Sequence, residues 1–229
     1  MDLTTSYLGC FPAATRERYE FYETRNAASI LAATNQVRFD ELVGVLDSFA
    51  LLTADLIESG GNESKLAARL NAAFREKGWR EARVDQIIKL SLLKQPYRPA
   101  GERKSVVVET ETTSTGYKVD NFVDRVALDV EWNAKDGNLD RDLGAYRSLY
   151  DAGLIDGAIM ITRTVDDLRQ FGARLGERVG MSPEKAGRIL ATSTTTNTMK
   201  LIPKLTRGDS GGCPILVVAI CERTWDKTS

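Results

Sequence analysis

The sequence contains no histidine. That one absence removes the side chain that most often moves protons near neutral pH, and the commonest metal ligand with it. Cysteine is scarce. Cys10, Cys213 and Cys221 are odd in number and none sits in a CxxC pair, which argues against a disulfide framework and against a thiolate zinc site. No apolar run approaches the roughly 18 residues that span a bilayer. The opening "MDLTTSYLGCF" lacks the basic start and apolar core of a secretory signal. The expectation is a soluble, cytoplasmic protein. Internal repeats, low-complexity tracts and linkers are missing too. With 229 residues, enough for one generous core, we read residues 1–229 as a single domain.

The missing histidine decides one motif at once. "RGDSGGCP", residues 207–214, contains the run that surrounds the nucleophile of trypsin-like serine proteases. A triad of that kind needs a base that takes the serine proton and returns it to the leaving group. A lysine base is possible in principle, but those proteases do not use one, and Cys213 intervenes before Pro214, where their motif has proline directly. Ser and Gly are common turn residues. The run reads as a turn feeding the apolar strand "PILVVAIC", and Ser210 is not expected to be a nucleophile.

What the chain does have is segregated charge. The net charge is only −1, yet "TSTTTNTMKLIPKLTR" at 192–207 carries Lys200, Lys204 and Arg207 with no acid. Residues 119–142 hold Asp120, Asp124, Asp129, Glu131, Asp136, Asp140 and Asp142. A basic, hydroxyl-rich strip beside an acidic cluster suits an enzyme that binds a polyanion and a divalent cation. Solvated surface is the other reading of both.

The first third is helical in character. "ERYEFYETRNAASILAATN" and "RFDELVGVLDSFALLTADLIES" place apolar residues at three-and-four spacing, "SGGN" at 59–62 is a stop, and "ESKLAARLNAAFREKGW" reads as a further helix. "RVDQIIKLSLLK" fits helix or strand. We take residues 1–95 as mainly helical and 104–229 as an α/β core. In that core "KSVVVETETT" is a strand, "RDLGAYRSLYDAG" a helix, "IDGAIMITRT" a buried strand, "VDDLRQFGARLGERVG" a helix and "CPILVVAICE" a last strand.

The chemistry-bearing string is "VDNFVDRVALDVEW". Val126, Leu128, Val130 and Trp132 alternate with Ala127, Asp129 and Glu131, so the two acids share one strand face about 7 Å apart. If the chain turns back as a hairpin, Asp120 comes alongside Asp129. Carboxylates converging at a sheet can bind Mg²⁺ with waters. Spacing alone leaves a solvated acidic face open. Against that, acids disfavour strands, and like charges at i and i+2 repel unless a cation or arginine compensates.

"DNFVDRVALDVEW" resembles the metal-binding segment of the BglII/BstYI (BamHI-like) family of type II restriction endonucleases, in the PD-(D/E)xK superfamily. The pattern is an Asp, an acid nine positions on, a spacer, and a third residue that is Lys in most of the superfamily and Gln or Glu in the nearer relatives. "LNAAFREKGWREARV" resembles the segment ahead of the sheet, and "LIPKLTRGDSGGCPILVVAI" the closing basic loop and core strand. The resemblance covers about two-thirds of the chain in patches.

The resemblance implies a restriction-endonuclease-like mixed sheet flanked by helices, with an N-terminal helical part. It implies a homodimer that cuts double-stranded DNA at a short palindrome, possibly with a GATC core, with Mg²⁺, leaving 5′-phosphates. A cognate DNA methyltransferase belongs to such a system. Asp120 and Asp129 would bind the metal, and Glu131 would position or deprotonate water. This chain departs from the family in having Asp129 for the usual Glu and Glu131 for Lys or Gln, so no cation sits at the third position. Lys135 is a candidate to supply it. Asn197, Lys200, Lys204 and Arg207 are candidate DNA contacts, since Asn reads adenine and cations bind phosphate or guanine. Arg163 could reach DNA or cap the acids, Glu41 could join the site as a fourth acid, and the N-terminal helices could carry the dimer interface. A nuclease with a repair or modification-dependent target, or a DNA-binding module without catalysis, are the alternatives.

Overall fold

The structure is a computed structural model describing residues 1–57, 64–191 and 193–227. The stop at "SGGN" lies outside them. The chain divides into two compact units, residues 1–82 with 119–229, and residues 83–118.

In the first unit, α1 (Tyr7–Cys10) and α2 (Ala13–Arg18) precede β1 (Tyr19–Glu23). Then come α3 (Ala27–Thr34), α4 (Gln36–Ser48), α5 (Thr53–Ile57) and α6 (Lys65–Glu76). Two long strands follow, β2 (Arg80–Lys94) and β3 (Val106–Val123), which run through the second unit. After them are β4 (Val126–Val130), α7 (Gly137–Asp151), β5 (Gly157–Arg163), α8 (Asp166–Arg178), α9 (Pro183–Ala186), α10 (Thr198–Arg207) and β6 (Ile215–Ile220). Strand order is β1-β6-β5-β4-β3-β2.

β4, β5 and β6 run parallel, with Val126 opposite Gly157 and Ala158 opposite Ile215. Every residue of these three strands is buried. Parallel strands covered on both faces read as unbroken apolar runs, which is how "AIMI" and "ILVVAI" read. Gly157 answers a close approach, because a Cβ there would lie 3.2 Å from the Pro214 carbonyl and 3.3 Å from a Leu31 methyl of α3. β1 adds antiparallel to β6 with Tyr19 opposite Ile220, and β3 turns back antiparallel onto β4 with Asn121 opposite Leu128.

The helical expectation for 17–35 fails at residues 19–23. "YEFYE" alternates, burying Tyr19, Phe21 and Glu23, and that period of two prevails once β6 offers a partner. β2 settles the ambiguous "RVDQIIKLSLLK" as strand, so the first 95 residues are less helical than expected. The helices themselves bury their apolar faces within the unit. Phe39, Leu42, Val45 and Leu46 of α4 are all buried, while Val37 of α4 and Leu8 of α1 stay exposed.

The second unit is a two-stranded hairpin. Lys89 pairs with Glu111 at 3.0 Å, and the Gly116 amide donates to Asp85 at 2.8 Å. Gly116 is required, because a Cβ there would collide with the Val84 carbonyl. Alternation places Ile88, Leu90, Leu92, Val106 and Val108 on one face, and all five are exposed.

Candidate active site

The β3–β4 hairpin builds the site. With Asn121 opposite Leu128, the next pair outward is Asp120 opposite Asp129. The Asp120 amide donates to Asp129 Oδ1 at 2.8 Å, so a main-chain group of one strand fixes the carboxylate of the next. The hairpin expected from the sequence therefore forms and brings the two acids together. Asp129 Oδ2 accepts from the Tyr146 hydroxyl of α7 at 2.5 Å. Glu131 follows directly after β4, and its backbone is held by the Ile161 carbonyl, Thr162 and Thr196.

The face carrying these acids is not solvated. Asp129 is 4% exposed and Glu131 5%. α7 covers them and adds an acid of its own, Asp142, 2% exposed and within hydrogen-bonding reach of Glu131. Burial pushes the Asp129 carboxyl up to about 7, helped by the charges of Asp142 and Asp120 and opposed by its bonds to Tyr146 and the Asp120 amide. Burial, then the neighbouring Asp142, also raises Glu131 far above the carboxylate range. Buried like charges favour protonation over ionisation until a cation or a proton separates them.

Glu131 Oε2 and Asp142 Oδ2 are buried and find no donor other than a proton held between the two carboxyls. Buried polar atoms without a partner are rare in folded proteins, and a proton shared by two carboxyls satisfies both. Among the described residues no three ligating side chains converge tightly enough to cage a metal unaided. Mg²⁺ does not require that, since it keeps waters and takes one or two carboxylates with substrate phosphate. The acids present fit it on these terms.

Further members come from helices. Asn71 of α6 accepts from Asn121 Nδ2 at 2.8 Å, buried just beyond Asp120 in sequence. Arg141 holds Asp142 Oδ1 at 2.9 Å while its own side chain stays 57% exposed. It brings to the acids the positive charge that was expected of Lys135, which instead lies exposed on the loop bridged to Thr195. None of these residues was singled out from the sequence for such a role. A signal existed, because Asn71 and Asp142 each sit on an otherwise apolar helix stripe, Leu66, Leu70 and Phe74 for one, Leu139, Leu143 and Tyr146 for the other.

The candidate DNA contacts stand differently. Thr198–Arg207 of the segment read as a basic strip form α10; its two lysines meet acids at the start of α7, and Arg207 meets an acid in the turn that follows it. Lys200 Nζ lies 2.8 Å from Asp136, Lys204 pairs with Asp140, and Arg207 pairs with Asp209 at 2.5 Å. The charge separated along the sequence is thus neutralised in space. Asn197 is buried and caps α10, its Oδ1 accepting from the Lys200 amide while its Nδ2 donates to the Thr195 carbonyl. Its amide is committed within the fold rather than open to a base. Glu41 accepts from Arg38 and from the Trp79 indole, both at 2.8 Å, which makes it a structural acceptor and not a fourth acid of the site.

Arg163 does not cap the acids. It is 1% exposed and donates to Asn133, Thr195 and the Thr164 carbonyl, and burial lowers it to about 10. Ser210 is buried in the turn with its hydroxyl near the Cys213 carbonyl at 3.5 Å, unlike a nucleophile. Cys213 is equally buried, its thiol pushed up to about 12.

No curated protein is similar enough to this chain to match. A family model does match, described as restriction endonuclease BglII/BglIII, over residues 19–220. Those residues run from β1 to the end of β6 and contain the whole acid cluster. The hairpin that sets Asp120 against Asp129 is therefore part of a matched whole, and the chain belongs to the BglII/BglIII family of type II restriction endonucleases, site-specific deoxyribonucleases.

Proposed function

We propose that this endonuclease hydrolyses double-stranded DNA at a short palindrome with a GATC core, using Mg²⁺ and leaving 5′-phosphates. The observation that carries the reading is the Asp120–Asp129 contact across the β3–β4 hairpin, with Glu131 buried one residue beyond the strand. Asp120 and Asp129 would hold the ion. Each Asp129 oxygen accepts one hydrogen bond and keeps a lone pair for it. The ion supplies Lewis acidity at the phosphoryl oxygen and charge for the leaving oxygen.

Glu131 does the proton work. Burial keeps its carboxyl protonated, so it would take the proton of the attacking water only after giving up its own. Burial of the acids, with Tyr146 against Asp129, would keep their fields largely unscreened. Arg141 offsets the local negative charge as a polyanion approaches. Lys135, exposed on the loop after β4, would meet a phosphate. Lys200, Lys204 and Arg207 would contact DNA by exchanging their acid partners for phosphates, which makes binding steeply salt-dependent.

Two copies would match the two-fold symmetry of the site, each cutting one strand. A cytoplasmic location and a methyltransferase that protects the host's own sites complete the reading. Digestion of unmethylated phage DNA with and without Mg²⁺, with the fragment ends sequenced, tests it. Discrete Mg²⁺-dependent fragments with 5′-phosphate ends at one palindrome support it. Uncut DNA, or fragments without a common end sequence, would overturn it.

A further inference from the structure

The cations at the tip of the second unit stand apart from those of α10. The connection from β2 to β3, residues 94–104, reads "KQPYRPAGERK". It carries Lys94, Arg98, Arg103 and Lys104 against a single acid, Glu102. All four cations are exposed, and among the described residues none of them has a carboxylate partner. Glu102 turns back instead, accepting from the Tyr97 amide at 2.7 Å. Along the strands below the tip the signs are mixed, Arg83 pairing with Asp85 at 2.9 Å and Lys89 with Glu111 at 3.0 Å. Lys200, Lys204 and Arg207 of α10 are paired as well. Like charges gathered at one end repel one another and do nothing to hold together a two-stranded hairpin, which is marginal on its own.

The tip has a fixed backbone. Arg98–Ala100 form a 3₁₀ turn that contains Pro99, and the Ala100 and Gly101 amides donate to the Tyr97 and Arg98 carbonyls at 3.0 and 2.9 Å. Gly101, at φ +81°, supplies the left-handed residue that closes it. A turn held in this way loses less conformational freedom when its side chains engage a ligand.

We propose that the hairpin is a DNA arm, whose basic tip of Lys94, Arg98, Arg103 and Lys104 binds the phosphate backbone of a duplex without regard to sequence. The inference deepens the proposed function. It rests on double-stranded DNA as the ligand, but neither on the palindrome nor on the cation. At about 3.3 Å per residue, Arg83–Lys94 carries the tip roughly 35 Å along the hairpin, the length of about ten base pairs. Phosphate contacts of this kind add affinity for any sequence and leave the choice of site to other residues.

The test is binding of the full chain to a duplex that lacks GATC, without divalent cation, over a range of salt concentration. Wild type is compared with a variant combining Lys94→Gln, Arg98→Gln, Arg103→Gln and Lys104→Gln. Four phosphate contacts account for about 3.6 units in the slope of log affinity against log salt. The expected result is a slope shallower by two units or more and an affinity at least tenfold weaker at the lower salt. The melting temperature should stay unchanged, because the replaced side chains have no ionic partner in the fold. A slope that changes by less than two units overturns the proposal. Acetylation of wild-type lysines with and without the duplex separates contact at the tip from a change in net charge, and it decides if the variant does not fold. Protection of Lys94 and Lys104 supports the arm, and equal reactivity with and without DNA overturns it. Wild-type binding that the tip does not affect sinks this inference alone. Tip-dependent binding with no cleavage in the Mg²⁺ digestion sinks the proposed cleavage alone.

Discussion

The acid cluster and the hairpin of residues 83–118 invert the usual partition of side chains in opposite directions. Around β4 and α7, Asp129, Glu131 and Asp142 are all but sealed from water. In the hairpin, Leu90, Leu92 and Val108 stand in it. Exposed aliphatics are common enough on any protein surface, but charged groups are almost never fully buried without partners. The two anomalies therefore carry unequal information. The buried acids mark a place where the fold sacrifices stability for chemistry. The exposed aliphatics are tolerated because a two-stranded hairpin has no second layer to cover both faces.

That contrast can be broken most forcefully at Asp129. Asp129→Ala should cut DNA cleavage by at least about 100-fold, since it removes an acid proposed to hold the ion and leaves Tyr146 and the Asp120 amide without their acceptor. Plasmid digestion reads it, and near-normal cleavage would place the chemistry elsewhere. The same residue type in the two regions gives the next largest difference. Leu128→Ala, in the closed core, should cost about 2–5 kcal/mol in denaturant unfolding.

The pH dependence sharpens the buried side of the comparison. Asp129 holds its proton up to about 7 in the fold but only to the ordinary range when unfolded. The stability this contributes is complete below the unfolded value and is lost as pH rises through about 7. In chelator, Asp129→Asn should therefore gain on wild type steadily from pH 4 to pH 7, in paired thermal melts. A constant difference across that window would contradict the assigned cause. The smallest effect is expected at Leu90→Ser, 60% exposed in wild type, which should move stability by less than about 0.5 kcal/mol.

The sequence disclosed the parts of this molecule that depend on short range. Alternation in "RVALDVEW" predicted a strand, and a hairpin, had the chain turned back, was expected to bring Asp120 alongside Asp129, as the β3–β4 pairing does. The runs of β5 and β6 were legible for the same reason. What remained hidden was long-range. Lys200 and Lys204 looked like free cations until α7 supplied Asp136 and Asp140. Asn197 looked like a base reader until α10 began on it. Asp142 was visible as an acid, but only the packing of α7 on the sheet decides whether such a residue faces water or Glu131. β1 was missed because its alternation is short and flanked by helix formers, and its partner lies near the other end of the chain.

That last pairing has a kinetic consequence. Tyr19–Glu23 close the sheet against Leu216–Ile220, and Glu23 in turn gathers Ser6, Tyr7 and Ala28 around its carboxylate. Contacts so distant in sequence form late and slow folding. The first strand made on the ribosome must wait, unpaired, for nearly the last one. The sheet edge that β1 closes thus stays open until these two distant segments have found each other.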